Sequence, residues 1–202
     1  MQVLKEELQV MIVESAKHEF YIHGFKATSM RTIAKKANTT IGNLYNYFAN
    51  KEELFLAVVG ELPTLLKQAL YGHQDAFEEA QNTELNFREI VLAMEEQLPQ
   101  AFFLQHLLSQ EFIILMEGAE GTSLEGFRDE FLGFCIEHMQ EHMPGEENAL
   151  LAAEIANSFV SVLIYVAKHK KSLEEGIRAI TRYIEILIAG IMEVNDTMTT
   201  ND

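Results

Sequence analysis

The chain is predicted to be all-α, with about nine helices over its 202 residues. Three observations lead there. Apolar residues recur at helical spacing almost from end to end. No apolar–polar alternation lies between Gly-rich turns, so no sheet is expected. Ser or Asn residues followed three positions later by Glu punctuate the periodic stretches, as helix N-termini do.

Leu4, Leu8, Met11, Ile12, Ala16 and Phe20 form the stripe of a first helix that stops at Gly24, a residue suited to the left-handed position past a helix end. Ser29 caps a second helix through Ala37. Asn38-Thr39-Thr40 is a turn in which Asn38 tolerates a left-handed backbone. Thr40 caps a third helix through Phe48. Asn50 with Glu53 forms a capping box for a fourth, running to about Gly72 with a kink near Gly60 and Pro63. Asn86 with Glu89 opens a fifth, and Pro99 divides it from a sixth. Gly118–Ser123 is expected to be the most flexible loop. A seventh helix covers Leu124–Met143, an eighth Glu146–His169, and a ninth starts at the Ser172/Glu175 box and ends near Val194, before a frayed tail.

Charge is distributed unevenly. The chain carries −16 overall, yet residues 1–51 hold seven Lys/Arg against four Glu, a net +3, while the remainder holds eight against 27 acidic residues. Charges beyond a Debye length of roughly 8 Å are largely screened. A small basic face can therefore meet phosphate although the protein as a whole is acidic. One cysteine, Cys135, excludes an internal disulfide. The N-terminus has early glutamates and no apolar core of a secretory leader. The longest strongly apolar run, 159–167, is about half the roughly 20 residues that span a bilayer. A cytoplasmic protein with no membrane contact is expected. No phosphate loop, serine elbow or HExxH is present, so no catalytic residues and no cofactor are assigned, and the chain is read as not an enzyme.

The segment Thr28–Lys51 carries the chemistry. Two helices joined by a three-residue turn make a helix-turn-helix, whose second helix enters the major groove. Ile33, Ala34 and Ala37 give the first helix a small apolar face; Leu44 and Phe48 give the second its inward face. Gly42 lets a helix approach a sugar-phosphate wall closely, tyrosine hydroxyls can donate to phosphate, and Asn can bond adenine N6 and N7 together. Helix N-termini at Ser29 and Thr40 can offer amides to phosphate. The alternative reading makes Tyr45 and Tyr47 surface aromatics that support packing.

Gly24-Phe25, Thr28-Ser29, Ile33-Ala34, Ala37, Gly42, Leu44-Tyr45, Phe48 and Lys51-Glu52-Glu53-Leu54 together resemble the N-terminal signature of the TetR/AcrR family of bacterial transcriptional regulators. The resemblance covers roughly residues 8–60. It implies a DNA-binding domain over 1–51, with its helix-turn-helix at about 29–48, and a helical effector-binding and dimerisation domain over 52–202. It further implies double-stranded DNA as partner, and repression from a palindromic operator released by a small-molecule effector. Carried over position by position, Ser29, Arg31, Thr40, Gly42, Asn43, Tyr45, Asn46, Tyr47 and Lys51 would face DNA. Asn38-Thr39 stand where the family often has Gly-Val, Ile41 where a polar or basic residue is common, and Asn46 where His is common.

Phe102, Phe103, His106, Phe112, Met116, Phe127, Phe131 and Phe134 either line an effector cavity or form plain core. Cys135, His138 and His142, at i, i+3 and i+7, either offer a thiolate and two imidazoles to a metal, which would make a metal-responsive regulator, or are a buried thiol and two histidines near a helix C-terminus. Apolar stripes on the eighth and ninth helices suit a homodimer interface through 146–194, or an intrachain core. Activation rather than repression stays open.

Overall fold

The computed structural model describes residues 2–68, 100–143 and 145–199. All regular elements among them are helical: α1 (Gln2–Ala27), α2 (Met30–Lys36), α3 (Ile41–Leu44), α4 (Lys51–Val59), α5 (62–68), α6 (Gln100–Leu107), α7 (Gln110–Glu117), α8 (Phe127–His142), a 3₁₀ turn at Glu146–Asn148, α9 (Ala149–His169) and α10 (Leu173–Thr199). The all-α prediction holds among the described residues. The expected helix starting at Asn86, its end at Pro99 and the stretch 69–72 lie outside them.

The chain packs as two units, Met1–Pro63 with Ser109–Arg128, and Thr64–Leu108 with Asp129–Asp202. In the first, α1 buries Ile12, Ala16 and Phe20 at successive i+4 positions, while Met11, expected on the same stripe, is 48% exposed. Helical geometry stops at Gly24, whose φ of 71° and ψ of 170° only glycine adopts without strain. Phe20, Phe25 and Phe55 of α4 then meet ring against ring at 5.3–5.9 Å. The unit thus extends past residue 51 to include α4 and the segment 109–128.

That segment approaches α1 backbone to backbone. Phe25 N donates to Gly118 O at 2.8 Å. A Cβ on Gly118 would sit 2.9 Å from Ile114 O and 3.3 Å from Phe20 O. The loop expected to be flexible is fastened here. Ser123 N and Oγ both donate to Glu52 Oε1 at 2.8 and 2.7 Å, Lys26 pairs with Glu120 at 2.5 Å, and Lys17 pairs with Glu111 at 3.1 Å. Composition flagged the loop as mobile because it cannot show partners supplied by distant parts of the chain.

Several boundaries moved. Gly60, at φ 54° and ψ −135°, ends α4 outright, so the expected kink is a break between two helices. The expected sixth helix is divided at Leu108–Ser109, where Ser109 Oγ accepts from Phe112 N at 3.1 Å. Phe112, not Glu, stands three residues on, so the capping-box pattern passed over this start. α8 begins at Phe127 because 122–127 closes in i+3 turns. α10 runs to Thr199, beyond the expected end near Val194, since no Gly or Pro interrupts 195–199.

In the second unit α9 packs on α10. Ala152, Ala156, Val160, Leu163 and Ala167 are buried on α9, and Ile180 and Ile191 on α10. Much of the apolar surface read as a possible subunit interface is therefore intrachain core. Leu150 (75% exposed), Leu151, Tyr165 and Ile186 remain outside it. By length and composition alone, residues 146–169 could cross a membrane. Counting only uninterrupted apolar residues missed this, because the span includes Glu154, Asn157 and Ser158. The Ser172 box is confirmed: Glu175 N donates to Ser172 Oγ at 3.1 Å, and Lys171 N to Glu175 Oε2 at 2.6 Å.

Candidate nucleic-acid interface

The helix-turn-helix is built from local hydrogen bonds. Ser29 caps α2 by accepting from Thr32 N at 3.1 Å. Ile33, Ala34 and Ala37 are buried, as expected from their spacing. Asn38 takes a φ of 52°, the one positive-φ residue other than glycine among those described, and turns the chain. Thr40 caps α3 by accepting from Asn43 N at 3.1 Å. Leu44 and Phe48 fill the interior behind α3, at 0% and 4% exposure.

The second helix is shorter than its sequence suggested. α3 ends at Leu44, and residues 45–47 continue as turns in which Asn46 N reaches Asn43 O and Tyr47 N reaches Leu44 O at 3.0 Å each. The i+3 bonding tightens the last turn, as is common where an α-helix ends. Ser29, Arg31, Thr40, Gly42, Tyr45 and Asn46 are exposed, with Asn43 and Tyr47 half-buried beside them. A Cβ on Gly42 would meet nothing within 4 Å. Ile41 also lies outside, at 37% exposure.

Two expected contact residues are engaged within the chain. Asn43 Nδ2 donates to Thr39 Oγ1 at 3.0 Å, and Asn43 Oδ1 accepts from Asn46 Nδ2 at 3.4 Å. These two bonds leave the Asn43 amide one N–H and one oxygen lone pair for adenine. Lys51 is not turned outward: its Nζ donates to Phe25 O at 2.7 Å and Thr28 O at 2.8 Å, and lies 4.1 Å from the Phe25 ring centroid. Partial burial lowers its pKa from the ordinary lysine value.

Intrachain partners also thin the basic face. Of the seven cations before residue 52, Lys17, Lys26 and Lys36 pair with Glu111, Glu120 and the buried Glu19, the last at 2.5 Å. Lys51 sits on carbonyls. Arg31 and Lys35 are exposed on α2, and Lys5 lies 5.9 Å from the Tyr47 ring. Sequence reasoning counted charge but could not see which cations the fold consumes.

The candidate pocket residues do not gather in one unit. Phe112, Met116 and Phe127 are core of the first. Phe131 is buried and Phe134 and His106 half-buried in the second, and the side chains of Phe102 and Phe103 lie outside the described residues. On α8, His138 Nε2 and His142 Nε2 are 3.0 Å apart, and Glu141 Oε2 is 3.5 Å from His138 Nδ1. Burial lowers the His138 pKa to about 4 and pushes the Cys135 thiol up to about 12, so the imidazole is neutral and the sulfur protonated near pH 7. No group of three His, Cys, Asp or Glu arranged for a metal occurs among the described residues, so Cys135 does not join the histidine pair as a third ligand.

Residues 12–58 match the family model described as bacterial regulatory proteins, tetR family. A stretch of 68 residues is 41% identical to the uncharacterized HTH-type transcriptional regulator YhgD of Bacillus subtilis; it covers 34% of each protein, so the chain spans about a third of the length of the curated relative it matches. Among solved structures the chain is similar to a transcriptional regulator (TerR/AcrR family) from Aquifex aeolicus, at 21% identity, TM-score 0.47 and coverage of 89% and 99%, and to the regulator FadR of Bacillus subtilis in complex with stearoyl-CoA, at 15%, 0.47, and 90% and 98%. Gly24, the Ser29 and Thr40 caps, the Asn38 turn and the exposed α3 all fall inside the residues that match this family model.

Proposed function

We propose that this chain is a sequence-specific DNA-binding regulator, a repressor that a small-molecule effector releases from a palindromic operator. One observation carries the reading: α3 and the turns that follow it present Gly42, Tyr45 and Asn46 outward over a fixed Leu44–Phe48 base, with exposed Arg31 on the preceding helix. Such a face suits the major groove, with phosphates met by the helix N-termini and base edges met by α3. The protein acts as a cytoplasmic homodimer through 146–194, where Leu150, Leu151, Tyr165 and Ile186 supply apolar surface. Two-fold symmetry then sets two α3 copies about one DNA turn apart, roughly 34–36 Å or a multiple. An effector in the helical body shifts the equilibrium only if it binds the two states with different affinity, typically by about 1–3 kcal/mol.

The test is selection of duplexes from a random pool by the purified protein, followed by titration of the enriched sequence against salt. An enriched palindrome whose affinity falls steeply with salt is expected. Binding without sequence preference would refute the reading. A reporter driven from that duplex separates repression from activation.

A further inference from the structure

Lys51 stands at the first position of α4, the end of a helix where a cation is electrostatically disfavoured. Its ammonium folds back across 23 to 26 residues of sequence onto the carbonyls of Thr28 and Phe25, over the Phe25 ring. The three donors of a lysine thereby meet two carbonyl oxygens and a π face. The joint it grips is already constrained: Thr28 N donates to Phe25 O at 3.2 Å, and Thr28 Oγ1 donates to Gly24 O at 2.7 Å. Ser29, the cap of α2, follows directly. Lys51 itself directly follows the turns that end α3 and the Asn50 cap of α4. One side chain thus ties the entry of the helix-turn-helix to its exit.

Resting on the DNA-binding reading above, we infer that Lys51 is a positioning residue: it holds the Ser29 cap and Arg31 of α2 in register with Gly42–Tyr47 of α3 and the turns after it, and does not neutralise a phosphate. The chemistry separates the two roles. A lysine on phosphate contributes about 0.9 to the slope of log K against log salt, and Arg can take its place. A lysine that bridges two carbonyls under a ring contributes nothing to that slope. The planar guanidinium cannot occupy the same compact three-way site.

The experiment compares the wild type, Lys51→Met and Lys51→Arg on the enriched duplex and on a random duplex of equal length, at several salt concentrations. Circular dichroism at the assay temperature verifies folding. Expected is a loss of about tenfold for both variants on the enriched duplex, no loss on the random one, and a salt slope equal to wild type. Any of three results overturns the inference: a slope lowered by about 0.9 in Lys51→Met with full rescue by Lys51→Arg; equal losses on both duplexes, which mark a merely structural role; or wild-type affinity in Lys51→Met. Should the wild type enrich no sequence, the DNA-binding reading itself fails, a result separate from these three.

Discussion

Gly42 offers a way to distinguish what the fold needs from what a partner needs. It lies at the second helical position of α3, where glycine costs up to about 1 kcal/mol against alanine, less so near a helix end. Nothing in the chain requires that cost, because a Cβ there meets open space and the backbone stays out of the left-handed region. Gly42→Ala should therefore stabilise the free protein by about 0.5 kcal/mol, chiefly by narrowing the unfolded ensemble. For a chain of this size that is a rise of about 1–2 °C in Tm. The same methyl should weaken binding to the enriched duplex, since the groove wall would approach α3 where the side chain is missing. Scanning calorimetry and fluorescence anisotropy measure the two effects. An unchanged or tighter complex would refute the idea that Gly42 is kept for close approach. A lower Tm would refute the claim that the fold does not need it.

Two further predictions concern stability. Gly118→Ala should destabilise by about 1–3 kcal/mol, because its Cβ would press on two carbonyl oxygens at 2.9 and 3.3 Å where α1 and the 118 turn touch backbone to backbone; chemical denaturation checks this. Burial holds the His138 pKa near 4, below the ordinary 6.5, so the fold favours the neutral ring: its contribution is present above pH 6.5 and is lost as pH falls through about 4. Denaturation midpoints between pH 7 and 4 should fall less steeply in His138→Gln, and equal slopes would refute it.

Much of this protein was legible in sequence because helices and their caps are local. Ser29, Thr40, Asn50 and Ser172 each name their own helix start through bonds three residues long, and Asn38 names its turn through its own backbone preference. Ile33, Leu44 and Phe48 announced an inner face by spacing alone. Ser109 was missed because apolar residues run on through Leu107, Leu108, Phe112 and Ile113 on either side of it, so the periodicity shows no break at the serine. What tertiary structure alone decided are the long-range engagements. The Gly118–Ser123 loop is fastened by Glu52 and Lys26, from 71 and 94 residues away in sequence. Lys51 is turned from the expected DNA face onto the Phe25 and Thr28 carbonyls, and three of the basic head's seven cations pair with Glu19, Glu111 and Glu120. Sequence counts charges and periods; which carboxylate or carbonyl a cation meets depends on where distant segments pack, and only the folded chain settles that.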